Sequence, residues 1–314
     1  MIALYIFIAL LALACIYFLF CYFLSGTIIY IDRQPVPKTP SDYGLVFKDV
    51  EFVSSDDVVL KGWLIPGSLD KLIIMTHVGG LTKYGSTTSY RSFSKLYNKE
   101  IEFIKTAAHF HKKGYWVLMF DFRNHGESGR SPNGGKAGIG LEEYKDIVAA
   151  MKFIKNHDDL RDFDIGFVSF CMGANSTIIG MGKEQSLFEK VRCVAAVQPI
   201  SMEVFVRNYS KKIFTPPVAK IIVPMVKRFV NMRSEHRLED MSPYRYIRDI
   251  KVPIMYVQAR NDPWTELSDI RSFYENTPEP KEFYWIEDTR HRFESYSYFQ
   301  DKPDIILEWL EKWM

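Results

Sequence analysis

The sequence predicts an α/β fold with a mostly parallel, eight-stranded sheet flanked by helices. Two early strand patterns precede strands that alternate with helices, which is typical of a parallel sheet covered on both faces. Short apolar runs bounded by turn residues are the predicted strands: Val46–Val53, Val58–Ile65, Leu72–His77, Trp116–Phe120, Ile165–Phe170, Cys193–Pro199, Ile254–Gln258 and Glu282–Ile286. The predicted helices are Ser92–Lys113, Leu141–Asn156, Met172–Met181, Leu267–Asn276 and Pro303–Trp313.

The N-terminal segment is apolar and long enough to cross a bilayer. Residues 1–24 carry no charged side chain, and a bilayer core needs roughly 20 apolar residues of helix. A cleaved signal peptide would have a basic leader and a shorter apolar core, but no Lys or Arg precedes Arg33. We therefore expect an N-terminal transmembrane helix as a single-pass anchor over residues 1–24, a proline-punctuated linker over 25–42, and one domain over 43–314.

Charge and cysteine content limit the partners and the compartment. Arg33 and Lys38 follow the span, which favours a cytoplasmic domain because basic residues remain on that side. The domain holds only Cys171 and Cys193, so we expect no disulfide framework, and a free thiol suits a reducing compartment. A net charge of +2 gives no reason to expect nucleic acid. The histidine and glycine spacings indicate no metal or other cofactor, and the oligomeric state stays open.

The most informative segment is a strand, a tight turn and a helix start between Asp164 and Asn175. Ser169-Phe-Cys171-Met-Gly173 has the spacing of the G-x-S-x-G turn that presents a catalytic nucleophile. Cysteine stands in the nucleophile position, and Ser169 replaces the first glycine. A thiol there can act as a nucleophile because its thiolate forms at a lower pKa than an alkoxide.

Several further segments in register with this turn carry a family resemblance. They are residues 59–66 as a second strand, 73–80 with His77-Val-Gly-Gly, 121–128 with the pattern D-x-R-x-H-G-x-S, and Ser242-Pro243 before a late strand. From about Tyr43 onward the chain resembles the α/β-hydrolase superfamily. It looks most like membrane-anchored or secreted serine hydrolases related to monoacylglycerol lipases and dienelactone hydrolases.

The resemblance implies a catalytic triad in the order nucleophile, acid, histidine. Cys171 would be the nucleophile. Asp262 follows a buried strand where the family has its carboxylate, and His291 follows the last strand where the family has its base. The carboxylate orients the imidazole and stabilises its protonated form, while the imidazole reaches the nucleophile.

The resemblance also implies an oxyanion hole. The N–H of Met172, at a helix start, would be one donor, and the N–H of Gly79 the second. Val78 stands where the family usually has glycine. His77 and the turn with Asp121 and His125 are expected to organise the backbone. Ser169 and Ser176 are poor candidates for the nucleophile because of their positions relative to the turn.

An insertion at about residues 201–249 interrupts the alternation of strands and helices. It has helical pieces, an apolar stretch at Ile221–Val226 and many basic residues, but no strand pattern. Its position after a core strand predicts a lid over the active site. A surface helical excursion is the competing interpretation.

Three functions remain open. The first is a membrane-anchored hydrolase that cleaves an ester or thioester of a hydrophobic acyl substrate through an acyl-enzyme on Cys171. The second is an acyltransferase on the same site. The third is a catalytically silent binding protein in which Cys171 is only a small buried residue. A peptidase ranks lower because no additional substrate-binding domain is visible. The expected partners are a small-molecule or lipid-like acyl substrate and the membrane.

Overall fold

Eight strands form one sheet that carries the predicted site. The computed structural model describes residues 1–90, 98–287, 289 and 291–314. The strand order is β1-β2-β6-β3-β7-β8-β9-β10, with β2 antiparallel to β1 and β6 and the other neighbours parallel. The mostly parallel eight-stranded sheet is confirmed. Its strands are β1 (Lys48–Val53), β2 (Val59–Ile65), β3 (Lys71–Thr76), β6 (Trp116–Phe120), β7 (Asp164–Phe170), β8 (Val191–Val197), β9 (Ile254–Ala259) and β10 (Lys281–Ile286).

Helices cover both faces of the sheet. Strand side chains alternate between two apolar clusters, so that Leu72 and Ile74 of β3 pack on one face while Ile73 and Met75 pack on the other. The described helices are α1 (Ile2–Ile29), α2 (Phe103–Lys112), α3 (Tyr144–Lys155), α4 (Met172–Lys183), α5 (Met202–Ile213), α6 (Pro216–Arg233), α7 (Leu267–Asn276), α8 (Arg292–Asp301) and α9 (Asp304–Trp313).

The helix predicted over Ser92–Lys113 is shorter than expected. Residues 91–97 lie outside the described residues, and α2 begins only at Phe103. Asn98 has a φ of 48°, a conformation that does not continue a right-handed helix. Ile101–Glu102 form β5 instead, which pairs antiparallel with β4 (Gly85–Ser86). This antiparallel pair was not predicted because two-residue strands leave no periodic pattern.

Helix α8, which begins directly after His291, was also not predicted. It buries polar and apolar side chains alike, including Phe293, Ser295, Tyr296 and Ser297. A helix buried on most sides lacks the apolar stripe from which a surface helix is inferred. The missed helix matters because two of its residues lie at the site.

Helix α1 and the insertion lie side by side. Helix α1 is long and apolar enough to cross a membrane and continues to Ile29, five residues beyond the predicted span. The insertion between β8 and β9 consists of α5, α6 and two short 3-10 helices, Leu238–Asp240 and Tyr244–Asp249. The Tyr17 hydroxyl donates to the carbonyl of Ile221 on α6 at 2.8 Å.

The segment predicted as a linker is bound to the domain. The Gln34 amide donates to the carbonyl of Gly80 and accepts from the Ser86 hydroxyl at 2.8 Å. Lys38 donates to the Glu102 carboxylate at 3.0 Å. The chain between α1 and β1 is therefore attached to the loop that follows β3.

Glu102 joins the same segment to β5. Burial acts to raise the pKa of Glu102, but hydrogen bonds from Lys105, Tyr43 and Lys38 outweigh it and lower the pKa to about 2. The side chain is buried, so this carboxylate holds residues 38–43 against residues 102–105, two parts of the chain that are distant in sequence.

Candidate active site

Cys171 occupies a strained turn at the carboxyl end of the central strand β7. Its φ and ψ are 52° and −111°, a combination that is unfavourable for any residue except glycine. Its N–H donates to the Val197 carbonyl of β8 at 2.8 Å, and its carbonyl accepts from the Asn175 N–H at 3.0 Å. The next residue, Met172, begins helix α4. Strain of this kind persists where the surrounding structure imposes it, and it concentrates at functional sites.

The residues on either side of Cys171 explain how the turn forms. A Cβ on Gly173 would lie 2.4 Å from the Thr76 Oγ1 and 2.9 Å from the His77 carbonyl oxygen, so only glycine lets α4 approach the end of β3 this closely. Ser169 stands where the motif has its first glycine, and its hydroxyl bonds to that of Thr177 at 2.9 Å in the interior. Ser169 therefore has a structural partner and faces the core.

The predicted oxyanion donors lie next to each other. A Cβ on Gly79 would be 3.3 Å from the Met172 sulfur, so the loop after β3 packs against the start of α4. Within the described part of the chain, no acceptor takes the N–H of either residue. The Val78 carbonyl accepts from the Leu81 N–H at 3.1 Å, and its side chain is buried. Two backbone N–H groups are thus available beside Cys171, although their role stays a prediction.

Two neutral histidines brace this loop. His77 accepts the Phe122 N–H at its Nε2, at 3.0 Å, and His125 accepts the Gly80 N–H in the same way. Each Nδ1 lies within 2.8 Å of a backbone carbonyl and therefore carries the proton. Burial lowers the pKa of both histidines, that of His125 to about 3. Their hydrogen bonds require the neutral form, so they act as backbone supports.

Asp262 lies on the loop after β9 and is fully engaged. Its Oδ1 accepts from the Trp264 N–H at 2.9 Å, and its Oδ2 accepts from the Thr265 hydroxyl at 3.1 Å and the Gln258 amide at 3.4 Å. An ion pair with Arg292 at 2.7 Å completes the set, with both side chains about 1% exposed. The carboxylate is therefore fixed in orientation at the edge of the sheet that also carries Cys171.

His291 follows β10, at the same edge. Its Nε2 lies 3.5 Å from the Glu294 Oε1. Burial, the largest effect, lowers the pKa of His291, and Lys99 lowers it further. The carboxylates of Glu294 and Asp262 raise it, but the pKa is lowered overall. A lowered pKa keeps the imidazole neutral near pH 7, the form that a general base requires. The described hydrogen bonds to the Asp262 carboxylate come from other residues, so the triad stays a prediction.

Sequence reasoning missed Arg292 and Tyr296, which connect Asp262 to Cys171. Arg292 donates to the Asp262 carboxylate, the Gln198 carbonyl and the Tyr296 hydroxyl. Burial would lower the pKa of Arg292, but interactions with Tyr296, Cys171 and Asp262 raise it. Burial raises the pKa of Tyr296, and its interaction with Cys171 adds to this. The available signal was an arginine next to the predicted base and a tyrosine one helical turn later.

The insertion packs over the Asp262 loop. The ring of Trp264 is 5.6 Å from Phe205 and 5.1 Å from Tyr209, both on α5. Arg207 of α5 also pairs with Glu266 at 2.9 Å. The first helix of the insertion is therefore held against the loop of the predicted acid. Among the described residues, no group of three or more His, Cys, Asp or Glu side chains could hold a metal ion.

Solved structures share the architecture over nearly the whole chain. The Pyrococcus furiosus esterase Pf2001 matches 92% of this chain and 99% of its own, with a TM-score of 0.70 and 24% identity. This chain has the α/β-hydrolase fold. The α/β-hydrolase GrgF of Penicillium matches 86% of this chain and 99% of its own at a TM-score of 0.59 and 17% identity. An Exiguobacterium antarcticum esterase, EaEST, covers 84% of this chain and all of its own (TM-score 0.56, 12% identity).

Two sequence relatives match about half of this chain. The uncharacterized protein YqkD of Bacillus subtilis is 25% identical over 181 residues, which are 57% of this chain and 56% of that protein. The polyketide transferase af380 of Aspergillus fumigatus is 27% identical over 155 residues, 49% of this chain and 46% of its own. The chain spans about half the length of these two relatives. No family model matches the sequence.

Proposed function

We propose that this protein is a membrane-anchored hydrolase that cleaves an ester or thioester of a hydrophobic acyl substrate. Cys171 is the nucleophile, His291 the base and Asp262 the acid of its triad. The main support for this proposal is the backbone conformation of Cys171, a non-glycine residue with a φ of 52° between β7 and α4. A cysteine that only filled the core would not need a conformation that costs about 1–3 kcal/mol.

The proposed reaction proceeds through a thioester on the enzyme. His291 takes the thiol proton as the sulfur of Cys171 attacks the substrate carbonyl, and the N–H groups of Met172 and Gly79 stabilise the oxyanion. When the tetrahedral intermediate collapses, His291 returns the proton to the leaving alcohol or thiol. A water molecule, activated by the same imidazole, then attacks the acyl-enzyme and releases the acid and the free thiol. In this cycle the imidazole turns from Glu294 toward Cys171.

The substrate class follows from neighbours and location. Several structures of the same fold are named esterases, which supports a carboxylic ester. Helix α1 would hold the domain at a membrane, and the insertion, acting as a lid, lies between α1 and the Asp262 loop. A hydrophobic acyl chain delivered near the bilayer suits this arrangement. The basic residues after α1 favour a cytoplasmic domain.

An acyltransferase is the second candidate function. The named polyketide transferase among the relatives supports it, because acyl transfer would use the same acyl-enzyme. The two reactions differ only in whether water or an added alcohol, amine or thiol accepts the acyl group.

The test is intact mass of the full-length protein in detergent after brief exposure to a short-chain p-nitrophenyl ester and to a matched thioester. The wild type should gain one acyl group and release product, while Cys171→Ala should do neither. His291→Ala should acylate far more slowly, by a factor on the order of 10²–10⁴. The matched control is Cys193→Ala, another buried cysteine one strand away, which should behave as the wild type.

Two outcomes would refute the proposal. Turnover that survives in Cys171→Ala would mean that the nucleophile is elsewhere. A wild type that is neither acylated nor active with either substrate would favour the silent binding protein. A wild type that acylates but releases product only when an alcohol, amine or thiol is added would identify the acyltransferase.

A further inference from the structure

We propose that the corner between α5 and α6, residues 211–221, is a second membrane-binding element that docks into an anionic lipid surface beside α1. The corner is exposed and apolar, with Ile213, Val218 and Ile221 exposed at 55%, 41% and 64%. Three large apolar side chains exposed together within residues 213–221 are unusual for a surface in contact with water. The inference rests on the proposed anchoring of α1.

The first argument is charge. Between Glu203 and Glu235 the chain has no acidic residue, whereas it has seven basic ones: Arg207, Lys211, Lys212, Lys220, Lys227, Arg228 and Arg233. Lys227 pairs with Glu203 at 2.7 Å, and Arg207 pairs with Glu266. Within the described residues, Lys211, Lys212 and Lys220, which lie in the corner, form no ion pair. Exposed lysines around an apolar tip fit anionic headgroups above a hydrocarbon layer.

The second argument is continuity with α1. Helices α1 and α6 run in the same direction, since Tyr17 contacts Ile221 while Tyr22 packs on Phe229 with ring centroids 5.6 Å apart. At the corner, the rings of Phe20 and Phe214 are 6.0 Å apart. The contacts on α1 fall inside the span predicted over residues 1–24. If that whole span lies in the bilayer, the start of α6 reaches the same depth.

The third argument is that the two helices are fixed to each other. Arg233, at the end of α6, donates to the Tyr22 carbonyl at 2.6 Å and to the Ser25 hydroxyl at 2.5 Å. Its guanidinium also stacks on the Tyr22 ring at 3.8 Å. These contacts fix the C-terminal end of α6, the end opposite the corner, against α1. The corner is therefore presented to the bilayer at a fixed depth and not by a flexible segment.

Depth measurements with spin labels on the full-length protein test this. Cys15→Ser removes the exposed cysteine, since the other three are buried. In that background, single labels are placed at Val218→Cys on the corner, Val53→Cys on the exposed edge strand as the matched valine control, and Leu10→Cys on α1. The protein is reconstituted in phosphatidylcholine vesicles with and without phosphatidylglycerol. Collisions with oxygen report lipid immersion, and collisions with a nickel chelate report contact with water.

The expected result is that the labels at 218 and 10 favour oxygen while the label at 53 favours the chelate. Replacing Lys211, Lys212 and Lys220 by Gln should reduce immersion at 218 in anionic vesicles, by about fivefold in the equilibrium for each lysine. It should have little effect without phosphatidylglycerol. The control replaces the exposed Lys112, Lys113 and Lys155 by Gln and should leave the label at 218 unchanged.

Each contrary outcome has its own meaning. A label at 218 that behaves like the one at 53, with the label at 10 immersed, overturns the corner proposal and leaves the anchor intact. A label at 10 in contact with water overturns the anchor and, with it, the corner proposal, which rests on the anchor. Equal immersion at 218 in both lysine variants removes the electrostatic part of the proposal.

Discussion

The strain at Cys171 can be measured without a substrate. In Cys171→Gly the turn becomes favourable, whereas in Cys171→Ala it keeps a side chain at a φ of 52°. Replacing alanine by glycine at an ordinary buried site removes a methyl group, about 0.8 kcal/mol, and adds chain entropy to the unfolded state, about 0.5–1 kcal/mol. At residue 171 the same losses occur, but relief of strain adds about 1–3 kcal/mol in the opposite direction.

Cys193 is the matched site for this comparison. It is a fully buried cysteine in the middle of β8, so Cys193→Gly should be less stable than Cys193→Ala by about 1.5 kcal/mol. Subtracting the two glycine–alanine differences cancels the methyl and entropy contributions and leaves the strain. A strain of about 2 kcal/mol corresponds to about 6 °C in Tm for a domain of this size.

The assay is thermal unfolding of the four variants in one detergent, followed by circular dichroism at a single scan rate because unfolding is expected to be irreversible. We expect glycine and alanine to be nearly equal, or glycine to be better, at residue 171, and alanine to be clearly better at residue 193. The same glycine penalty at both sites would show that the turn is relaxed, and the main support for a catalytic cysteine would be lost.

Three further predictions concern the packing and charges around the site. Gly173→Ala should lower the free energy of unfolding by about 1–3 kcal/mol, because the new Cβ would collide with the end of β3. Gly180→Ala on the same helix is the control and should be tolerated, because the nearest neighbour of its Cβ would be 3.4 Å away. Equal Tm values for the two variants would contradict this. Because the pKa of Glu102 is lowered to about 2, its stabilisation should be present above about pH 4.3 and lost as the pH falls toward 2. The pH dependence of urea unfolding should flatten in Glu102→Gln, and an unchanged slope would refute the assignment. Arg292→Gln should destabilise the folded protein by about 3–5 kcal/mol because it leaves the Asp262 carboxylate buried without its cation. Adding Asp262→Asn to this variant should recover part of the loss in Tm. Purely additive losses in the double variant would argue against the ion pair.

The sheet could be predicted from the sequence because its strands are short, apolar and bounded by turn residues. All eight predicted strands are present, and their ends differ by a few residues at most, as at Val191, where β8 begins two residues earlier than expected. The parallel order followed from the alternation with helices. The helix Leu267–Asn276, which has one apolar face, was predicted with the correct ends, whereas the helix predicted over Leu141–Asn156 begins three residues later, at Tyr144.

The parts that could not be predicted depend on tertiary contacts. Helix α8 has no apolar stripe because it is buried on most sides, so nothing in its pattern shows that Arg292 enters the core while its neighbour His291 stays at the edge. The sequence shows that Ser169 replaces the first motif glycine, but only the structure shows that Thr177 accommodates its hydroxyl. Local sequence patterns carry no information on such pairings.

The attachment of residues 33–43 to the domain changes what a cut in this segment would do. Gln34, which is mostly buried, holds the loop of Gly79 and Gly80 through its bonds to the Gly80 carbonyl and Ser86. A protease that released the domain by cutting between Gln34 and Lys38 would therefore also loosen the loop beside Cys171. In the proposed membrane-anchored hydrolase, release from the membrane and loss of activity would therefore occur together, and a form without α1 should begin before Arg33 to keep Gln34 on this loop.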